Sequence, residues 1–268
     1  MSRLLVCPPE YYRIAYEINS WMHLEVEADP LLARIQWDNL MAVLEKDCGA
    51  TLERMAPGPE VPDLVFTANA AAIAAGTAVV SRFRHPERRP EEDHDSRWFL
   101  AHGFDVQRLP EGLYFEGAGD LLGFDQIKFG GYRQRTDIRA YEQVSRIMNC
   151  EIMPVELIDS RFYHLDTCFC PLAGGELLWF PQAFDRYGQA AIHEVVPASR
   201  RLEVGEEEAA RFACNAVSIG KHVVLPEHCP ATTTMLKAQG YVTHAVDLSE
   251  FLKAGGAAKC LTLALDGV

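Results

Sequence analysis

A polar residue set among apolar neighbours recurs five times along this chain, and this recurrence constrains the fold more than any other feature. The five residues are Asn69, Glu116, His164, Asn215 and Cys260, and they stand roughly 45 to 50 residues apart. A period of this length implies a repeated supersecondary unit. If the units pack around one axis, each brings its polar residue to a shared centre, so the pattern predicts one pocket built from the whole chain. The alternative is that apolar strands simply begin with such residues and that no repeat exists.

Short apolar runs alternate with stretches of helical spacing. Runs bounded by Gly or Pro predict strands, and these are Arg3–Cys7, Leu64–Thr67, Ala78–Ser81, Leu177–Phe180, His222–Leu225 and Leu261–Leu265. Helical spacing predicts helices, which are Asp29–Leu44, with Asp29 as N-cap, Asp137–Met148, Glu206–Phe212 and Ala231–Gln239. The alternation predicts an α/β or α+β fold with one short helix in each unit.

Composition favours a single domain with a large core. The chain has 268 residues, of which 49% are hydrophobic, so it can bury a core without metals or disulfides. No Pro-, Gly- or Ser-rich linker divides it, and we therefore expect one domain over residues 1–268. The formal net charge of −13 argues against nucleic-acid binding, because phosphate contacts need clustered Lys and Arg. The charge is compatible with a small cationic substrate.

Sequence features that direct export or membrane insertion are not evident. The N-terminus lacks the long apolar region and the cleavage site of a signal peptide. The longest apolar stretch, Ala70–Val80, is too short to span a bilayer. The eight cysteines show no paired framework spacing, which predicts reduced thiols in a cytoplasmic protein.

The segment Phe162–Cys170 is dense in groups capable of chemistry. If it is a strand, its period of two places His164, Asp166, Cys168 and Cys170 on one face. One interpretation makes His164 a general acid and base beside Asp166, and the other makes the four residues a zinc site. Four such residues spread over roughly 20 Å, so one tetrahedral ion cannot collect them all. No CxxC or HxxxH spacing supports a metal either, and we prefer the acid–base role.

Cys260 stands between a glycine pair and an apolar run. Gly255 and Gly256 permit tight turns and close backbone approach, so the thiol can lie at the mouth of a strand. Lys259 could lower the pKa of the thiol, although adjacent strand residues point to opposite faces. From position alone, a nucleophile and an inert buried cysteine both remain open.

Two carboxylates flank a short glycine-containing arc in Glu116-Gly-Ala-Gly-Asp120. The arc could present Glu116 and Asp120 to one cationic ligand that has several N–H donors. A turn capped by acids is the alternative, whereas a phosphate loop is excluded because the Walker Lys-Ser/Thr is absent.

The stretch Arg84–Asp95 is densely charged. We expect most of it to be a solvated loop that leads into a helix. An arginine of such a loop could still clamp a substrate carboxylate if the loop lies beside a pocket.

Taken together, these motifs resemble the guanidine-modifying enzyme superfamily. They are 62–69 (PDLVFTAN), 115–120 (FEGAGD), 162–171 (FYHLDTCFCP) and 251–260 (FLKAGGAAKC), and Ile18–Met22 also fits. The resemblance covers nearly the whole chain and is strongest to the catalytic domain of arginine dihydrolases. It implies the pentein fold, a five-bladed α/β-propeller of pseudo-fivefold ββαβ repeats. Some arginine dihydrolases carry a further domain linked to ornithine metabolism, and since this chain ends soon after Cys260 we expect that activity to be absent.

The resemblance also implies the catalytic roles. Cys260 would attack the guanidinium carbon, and His164 would protonate the leaving ammonia and then activate water. Glu116 would orient His164, while Asp63 and Asp166 would hold guanidinium N–H groups. A thiolate–imidazolium pair would be favoured by mutual attraction.

Two arginines match positions that grip the substrate carboxylate in relatives. They are Arg88, which lies in the charged stretch, and Arg135, for which neighbouring Arg133 is a rival. Asn215 matches Asn69 in pattern, but the resemblance gives it no role, so we expect it to be structural.

Position 69 distinguishes the members of the superfamily. Deiminases and dimethylaminohydrolases are similar in placing an Asp there, which pairs with a cationic guanidinium. The neutral Asn69 can both donate and accept hydrogen bonds, so it should tolerate a neutral ureido group. With Asn19 acting in the same way, bound citrulline could be attacked a second time, which predicts arginine dihydrolase activity yielding ornithine, ammonia and carbon dioxide.

Several alternatives remain open at this point. The product could be citrulline, as in a dimethylarginine dimethylaminohydrolase or an arginine deiminase. A zinc hydrolase built on the His164–Cys170 ladder and a non-catalytic arginine-binding protein are less favoured. We expect no cofactor and no metal, a small-molecule substrate, no nucleic-acid or membrane partner, and a possible homo-oligomer.

Overall fold

Five three-stranded sheets form the framework of residues 2–267, the part of the chain that the computed structural model describes. In each sheet the middle strand runs antiparallel to the strand before it and parallel to the strand after it. The sheets are β3-β4-β5, β6-β7-β8, β9-β10-β11, β12-β13-β14 and β15-β1-β2.

The strands are short, and each group of three forms one sheet. Their bounds are β1 Arg3–Val6, β2 Thr51–Arg54, β3 Ala71–Ala74, β4 Thr77–Val80, β5 Asp105–Arg108, β6 Leu121–Phe124, β7 Ile127–Tyr132, β8 Ile152–Glu156, β9 Phe169–Pro171, β10 Leu177–Trp179, β11 Arg201–Glu203, β12 Val217–Ile219, β13 His222–Pro226, β14 Val242–Val246 and β15 Leu263–Ala264. The helices are α1 Pro30–Ala42, α2 Glu91–Ala101, α3 Ala140–Met148, α4 Arg186–Val195, α5 Glu206–Ala209, α6 Pro230–Ala238 and α7 Ser249–Leu252.

A helix connects the two parallel strands of every sheet, as a parallel pair requires. These helices are α1, α2, α3, α4 and α6, one for each blade. The five-bladed α/β-propeller of ββαβ units, expected from the repeat and from the resemblance, is therefore confirmed.

The first and last strands belong to the same blade. Strand β15 pairs antiparallel with β1, with Leu4 opposite Ala264 and Leu5 opposite Leu263. The backbone N–H of Leu265 donates to the carbonyl of Arg3 over 2.9 Å, and the N–H of Arg3 donates to the Asp266 carboxylate over 2.8 Å. This pairing closes the ring of blades.

Helix α1 begins as its sequence predicts and ends in an unusual way. The Asp29 carboxylate accepts hydrogen bonds from the N–H groups of Leu31 and Leu32, and Pro30 occupies the first turn. At the other end, the helix widens into a π-helical turn over Val43–Asp47. Helices α3 and α6 also lie within two or three residues of their predicted bounds.

The strand predicted over Leu64–Thr67 is wrong. The residues form two 3-10 turns, Pro62–Val65 and Thr67–Asn69, because local hydrogen bonds such as Phe66 N–H to Asp63 C=O satisfy the backbone. The helix predicted over Glu206–Phe212 is also too long, since α5 ends at Ala209 and Phe212 has a φ of 62°. None of the helices in residues 2–267 is long and apolar enough to cross a membrane.

Candidate active site

The five recurring polar residues each stand just before the first strand of a blade. In three blades a 3-10 turn makes the junction, at Thr67–Asn69, Gly117–Gly119 and Leu165–Thr167. All five residues are buried, and they are Asn69, Glu116, His164, Asn215 and Cys260. The 3-10 turns of neighbouring blades contact one another, so these residues meet at a shared centre, as the pattern predicts.

Two hydrogen-bonded groups make up this centre. In one, the His164 imidazole Nε2 lies 2.7 Å from Glu116 Oε2, and the Asn69 amide donates to the Glu116 carbonyl over 3.3 Å. In the other, the Asn215 amide donates to Cys260 Sγ over 3.1 Å. Asp166 joins them, because it is two residues from His164 and its Oδ2 lies 3.5 Å from Cys260 Sγ.

Asn215 holds the backbone around Cys260 as well as its sulfur. Its Oδ1 accepts from the N–H groups of Ala257 and Cys260, over 2.9 and 3.2 Å. Its Nδ2 also donates to the Asp166 carbonyl over 3.0 Å. Asn215 is expected to be structural, and these hydrogen bonds would let it hold the loop that carries the thiol. The repeat itself was the signal that pointed there, since Asn215 stands at one of its five positions.

The resting thiol is neutral. Burial and the neighbouring Asp166 carboxylate raise the pKa of Cys260 well above its ordinary value, against the opposing effects of the Asn215 hydrogen bond and Lys259. Burial also raises the pKa of Asp166 to about 6. The neutral thiol thus donates a hydrogen bond to an Asp166 carboxylate that is ionised at neutral pH.

The imidazole of His164 is neutral too. Burial lowers the pKa of His164 to about 4, although the hydrogen bond that His164 donates to Glu116 opposes the shift. Within residues 2–267, His164 shares no hydrogen bond with Cys260. Both directions disfavour the expected thiolate–imidazolium pair in the ligand-free site, because burial disfavours both charges.

Glu116 is the anion that fixes the tautomer of His164. Burial disfavours its charge, but Arg135 and the His164 hydrogen bond outweigh burial and hold the pKa of Glu116 below its ordinary value. An ionised carboxylate only accepts hydrogen bonds, so the proton of His164 resides on Nε2. The Nδ1 atom of His164 is buried and has no hydrogen-bond partner in the described part of the chain, which leaves its lone pair free for proton transfer.

Of the two rival arginines, Arg135 lies at the centre. Its guanidinium donates to Glu116 Oε2 over 3.0 Å and to the Ile18 carbonyl over 3.0 Å, and it stacks over the Tyr163 ring at 4.6 Å. The side chain of Arg133 is 53% exposed and pairs with Glu156 away from these groups.

Arg88 is also buried, and it connects two residues predicted to contact substrate. It donates to Asn69 Oδ1 over 2.9 Å and to the Asp63 carbonyl over 3.4 Å. It forms a bidentate pair with Glu91, with distances of 2.8 and 2.7 Å. The expectation of a solvated loop is therefore wrong for Arg88 and Glu91, whereas the helix expected after the loop is α2.

Asp63 offers an unused acceptor. The residue is 2% exposed, and its Oδ1 accepts no hydrogen bond among residues 2–267. Its Oδ2 lies 3.9 Å from Arg88 Nε. Burial raises the pKa of Asp63 because water no longer stabilises the ionised carboxylate. A cationic ligand would stabilise that carboxylate instead.

Two predicted substrate contacts are engaged elsewhere. The Asp120 oxygens accept from Leu165 N–H over 3.0 Å and from the Thr136 hydroxyl over 2.6 Å. The side-chain oxygen Oδ1 of Asn19 accepts hydrogen bonds from the N–H groups of Trp21 and Met22, and its side-chain Nδ2 donates to the Ala254 carbonyl. We therefore propose that Asp120 and Asn19 order the loops around the site rather than hold the substrate in this conformation.

The ladder of four same-face residues does not exist. His164 is extended, but Leu165–Thr167 forms a 3-10 turn, and the strand begins only at Phe169. The thiols of Cys168 and Cys170 turn to the carbonyls of Leu165 and Ala216. This geometry contradicts a zinc site built on the ladder. The 3-10 turn that interrupts the expected strand could not be predicted from the spacing of the four residues.

Three comparisons with known proteins agree with this geometry. Residues 17–265 match the family model described as N,N dimethylarginine dimethylhydrolase, eukaryotic. The bifunctional arginine dihydrolase/ornithine cyclodeaminase ArgZ of Synechocystis sp. is 41% identical over 97% of the chain. The N(G),N(G)-dimethylarginine dimethylaminohydrolase of Mycobacterium tuberculosis is 36% identical over 97% of the chain and 85% of its own length. The chain spans only 37% of the length of ArgZ.

The solved N-terminal domain of ArgZ is similar throughout. A cysteine-to-serine variant bound to substrate has a TM-score of 0.96 and 40% identity, and the match covers 100% of this chain and 99% of that one. An asparagine-to-serine variant, covalently bound to a reaction intermediate, also gives a TM-score of 0.96.

Proposed function

The chain belongs to the N,N-dimethylarginine dimethylhydrolase family, and from that premise we propose that it is a cysteine-dependent hydrolase of the guanidinium group of arginine. One observation carries the proposal: a buried thiol, a free imidazole nitrogen and two buried carboxylates converge at the shared centre. We further propose that it acts as an arginine dihydrolase, and the neutral Asn69 is the reason.

The substrate cation would enter beside two buried carboxylates. Asp63 and Asp166 supply acceptors for guanidinium N–H groups, and burial destabilises the ionised form of each. Arg88 and Arg135 would bind the α-carboxylate of the substrate, since both lie against the residues of the site. One guanidinium nitrogen of Arg135 donates only to the Ile18 carbonyl, so it could also donate to a substrate carboxylate without breaking the ion pair with Glu116.

Binding of the substrate would activate the nucleophile. Burial alone disfavours a thiolate at Cys260. A guanidinium held beside Sγ would stabilise the thiolate by its positive charge and so lower the pKa of Cys260. The thiol proton can pass to the free Nδ1 of His164, and the thiolate attacks the guanidinium carbon. His164 returns that proton to the departing ammonia, which leaves a thiouronium on Cys260.

Water then completes the first hydrolysis. His164, again neutral, takes a proton from water, and the hydroxide adds to the thiouronium carbon. The C–S bond breaks to give citrulline and the Cys260 thiol, with one proton released. In a second round the thiol displaces ammonia from the ureido group, and water releases the resulting S-carbamoyl group as ornithine and carbon dioxide. The sum is arginine plus two water molecules to ornithine, two ammonia and carbon dioxide.

The second round depends on retaining citrulline, and this is where Asn69 enters. Its Oδ1 is held by Arg88 and its Nδ2 by the Glu116 carbonyl, so the amide is fixed between the arginine and the acid–base pair. A neutral amide does not require a cationic ligand, whereas a carboxylate at position 69 would favour guanidinium over ureido.

Dimethylarginine hydrolysis to citrulline is the second candidate function. The family match and the Mycobacterium tuberculosis relative favour it. Both candidates use the same nucleophile and the same acid–base group, so only the substrate and product distinguish them.

Product analysis decides between the candidates. The chain is incubated separately with arginine, citrulline and dimethylarginine, and products are followed by mass spectrometry together with ammonia release. We expect ornithine and two ammonia per arginine. Citrulline that accumulates without ornithine would contradict the dihydrolase proposal and support the second candidate.

Two controls accompany this experiment. The Cys260→Ala variant should be folded but inactive, whereas Cys150→Ser, at a half-buried thiol outside the site, should keep full activity. Full turnover in Cys260→Ala would refute covalent catalysis. Activity lost in a strong chelator would instead point to a metal-dependent hydrolase.

We also propose that residues 1–268 act as one catalytic domain of a cytoplasmic protein. All eight cysteines are free, which suits a reducing compartment.

A further inference from the structure

Three ligand-type side chains meet at a point that the proposed reaction does not use. They are Cys48, His222 and His244, whose donor atoms all lie within 4.8 Å of one another. Cys48 follows the π-helical turn that ends α1, His222 begins β13, and His244 lies in β14. None of the three is among the residues proposed to contact the substrate.

The two imidazoles are closer than unrelated neighbours would be. His222 Nδ1 lies 2.9 Å from His244 Nε2, and the rings are nearly parallel, with an interplanar angle of 23°. Such a distance allows either one shared proton or two lone pairs directed at a common ion. Both histidines are half-buried, so an ion could reach them from solvent.

The two imidazole nitrogens fit a tetrahedral ion after a small adjustment, and the Cys48 sulfur, which lies within 4.8 Å of both, would have to approach by up to about 1.3 Å. Bond lengths of about 2.0 Å to nitrogen and 2.3 Å to sulfur imply separations of about 3.3 to 3.6 Å between ligand atoms. The two imidazole nitrogens are a few tenths of an ångström closer than that, and a small rotation of either ring corrects it. Two nitrogens and one sulfur are a ligand set typical of zinc, with a fourth position left for water.

The π-helical turn before Cys48 determines the direction of its thiol. The Cys48 N–H donates to the Val43 carbonyl five residues earlier, over 3.1 Å, and Gly49 has a φ of 70°. π-Turns are rare and are found frequently at functional sites. A regular helix would rotate Cys48 to another direction.

Zinc binds cysteine as the thiolate, so a divalent cation at this position would displace the proton of the Cys48 thiol.

We propose that Cys48, His222 and His244 form a binding site for Zn²⁺ or a similar divalent transition-metal ion. The ion would connect the segment after α1, which belongs to the blade β15-β1-β2, with the blade β12-β13-β14. It would stabilise the native state, because the three ligands come from parts of the chain that are separated in an unfolded chain. The inference is independent of the proposed enzymatic activity.

The experiment must separate this site from the catalytic centre, where Cys260 and His164 could also attract zinc. The host is therefore the Cys260→Ala chain. Metal-free protein is titrated with Zn²⁺ by calorimetry and with Co²⁺ by absorption, since thiolate-bound cobalt has a charge-transfer band in the near ultraviolet. The host is compared with the same chain carrying Cys48→Ser, His244→Gln or the matched control Cys150→Ser.

The host and the Cys150→Ser chain should each bind one zinc ion, show the thiolate–cobalt band and unfold at a higher temperature with zinc. Cys48→Ser should lose the band and the zinc-dependent shift, and His244→Gln should bind zinc at least tenfold more weakly. Circular dichroism of each metal-free variant shows that the comparison is between folded chains.

Equal zinc binding by the host and the Cys48→Ser chain would overturn the proposal, as would a thiolate–cobalt band that survives this substitution. Wild-type turnover in the Cys48→Ser variant of the unmodified chain is expected, which keeps the metal site distinct from the reaction.

Discussion

At the scale of single residues, the properties of the proposed nucleophile are set by the groups that surround it in the ligand-free site. Cys260 is 2% exposed and faces the Asp166 carboxylate, so its thiol keeps its proton until a cation arrives. In the proposed mechanism the thiol becomes reactive only when substrate is bound, since the guanidinium that is to be cleaved would supply the charge that stabilises the thiolate. It also protects the thiol from oxidants, which attack thiolates.

The pKa of Cys260 can be measured directly. Thiolate absorbance in the ultraviolet is recorded against pH for the wild-type chain and for Cys260→Ala, and the difference isolates one thiol among eight. In the ligand-free protein we expect a midpoint above the ordinary value of about 8.5. A midpoint below pH 7 would mean that the resting site already holds an ion pair.

Asp166 should destabilise the fold at neutral pH. Its carboxyl has a pKa of about 6 in the folded protein, against about 3.9 for an unperturbed Asp. Between those values the folded state binds more protons than the unfolded state, so this carboxyl makes stability fall as pH rises from about 4 to about 6.

The Asp166→Asn variant should therefore gain stability over wild type as pH rises. The gain should be near zero below pH 4 and should reach on the order of 2–3 kcal/mol above pH 7. Chemical denaturation of both proteins from pH 4 to pH 8 tests this. A difference in the free energy of unfolding that is constant with pH would contradict it.

At the scale of elements, the site depends on 3-10 turns that join each polar residue to its strand. The turn Gly117–Gly119 packs so closely that a Cβ on Gly119 would lie 2.2 Å from Asn69 Nδ2 and 3.4 Å from His164 Cγ. Glycine is thus required there for the close approach of neighbouring blades, since its φ is not in the left-handed region.

The Gly119→Ala variant should displace the Asn69 amide. We expect kcat/KM to fall by about 100-fold, because a shift of about 1 Å in a catalytic site has this scale of effect. The matched control is Gly205→Ala, where a Cβ would meet no atom within 4 Å. Equal activity in the two variants would show that the turn tolerates the added methyl group.

The same turns explain how far the sequence could predict the structure. The spacing of Asn69, Glu116, His164 and Cys260 was sufficient to predict a repeat and a shared centre, because one polar residue stands at the start of each blade. Helix α1 was predictable from its Asp29-Pro30 start. The strand over Leu64–Thr67 was not, since an apolar run of four residues fits a strand and a buried turn equally well.

The contacts within the site were beyond the reach of sequence patterns. The pairing of His164 with Glu116 rather than Cys260, and the hydrogen bond from Asn215 to the thiol, depend on how five blades pack. The pKa directions likewise depend on burial and on distances between residues about 50 to 100 positions apart. Helix α4 was missed because Gly188 interrupts its helical pattern.

At the scale of the whole molecule, the ring of blades brings β1 and β15 together, so the break in the chain could be moved to another turn without changing the blades. Residues 3 and 266 are hydrogen-bonded neighbours. A circular permutant that joins residues 267 and 2 through a short Gly-Ser linker and opens the exposed turn at Gly220 should therefore fold.

The permutant should keep the wild-type circular dichroism and turnover within a few-fold, because every blade retains its strands and Gly220 is exposed between β12 and β13. Thermal unfolding and product assays check both expectations. Cooperative unfolding that is lost in the permutant would show that the order of the blades along the chain matters to the native state.

The pairing of β1 with β15 also has a consequence for synthesis on the ribosome. Strand β1 is synthesised about 260 residues before its antiparallel partner β15, so one edge of β1 stays open while the residues between them are translated. Non-local pairing of this kind is slow and exposes the chain to aggregation. Because Cys260 lies just before β15, it is synthesised after the strands β3 to β14 of the other four blades, and a nascent chain that holds only those blades lacks the proposed nucleophile.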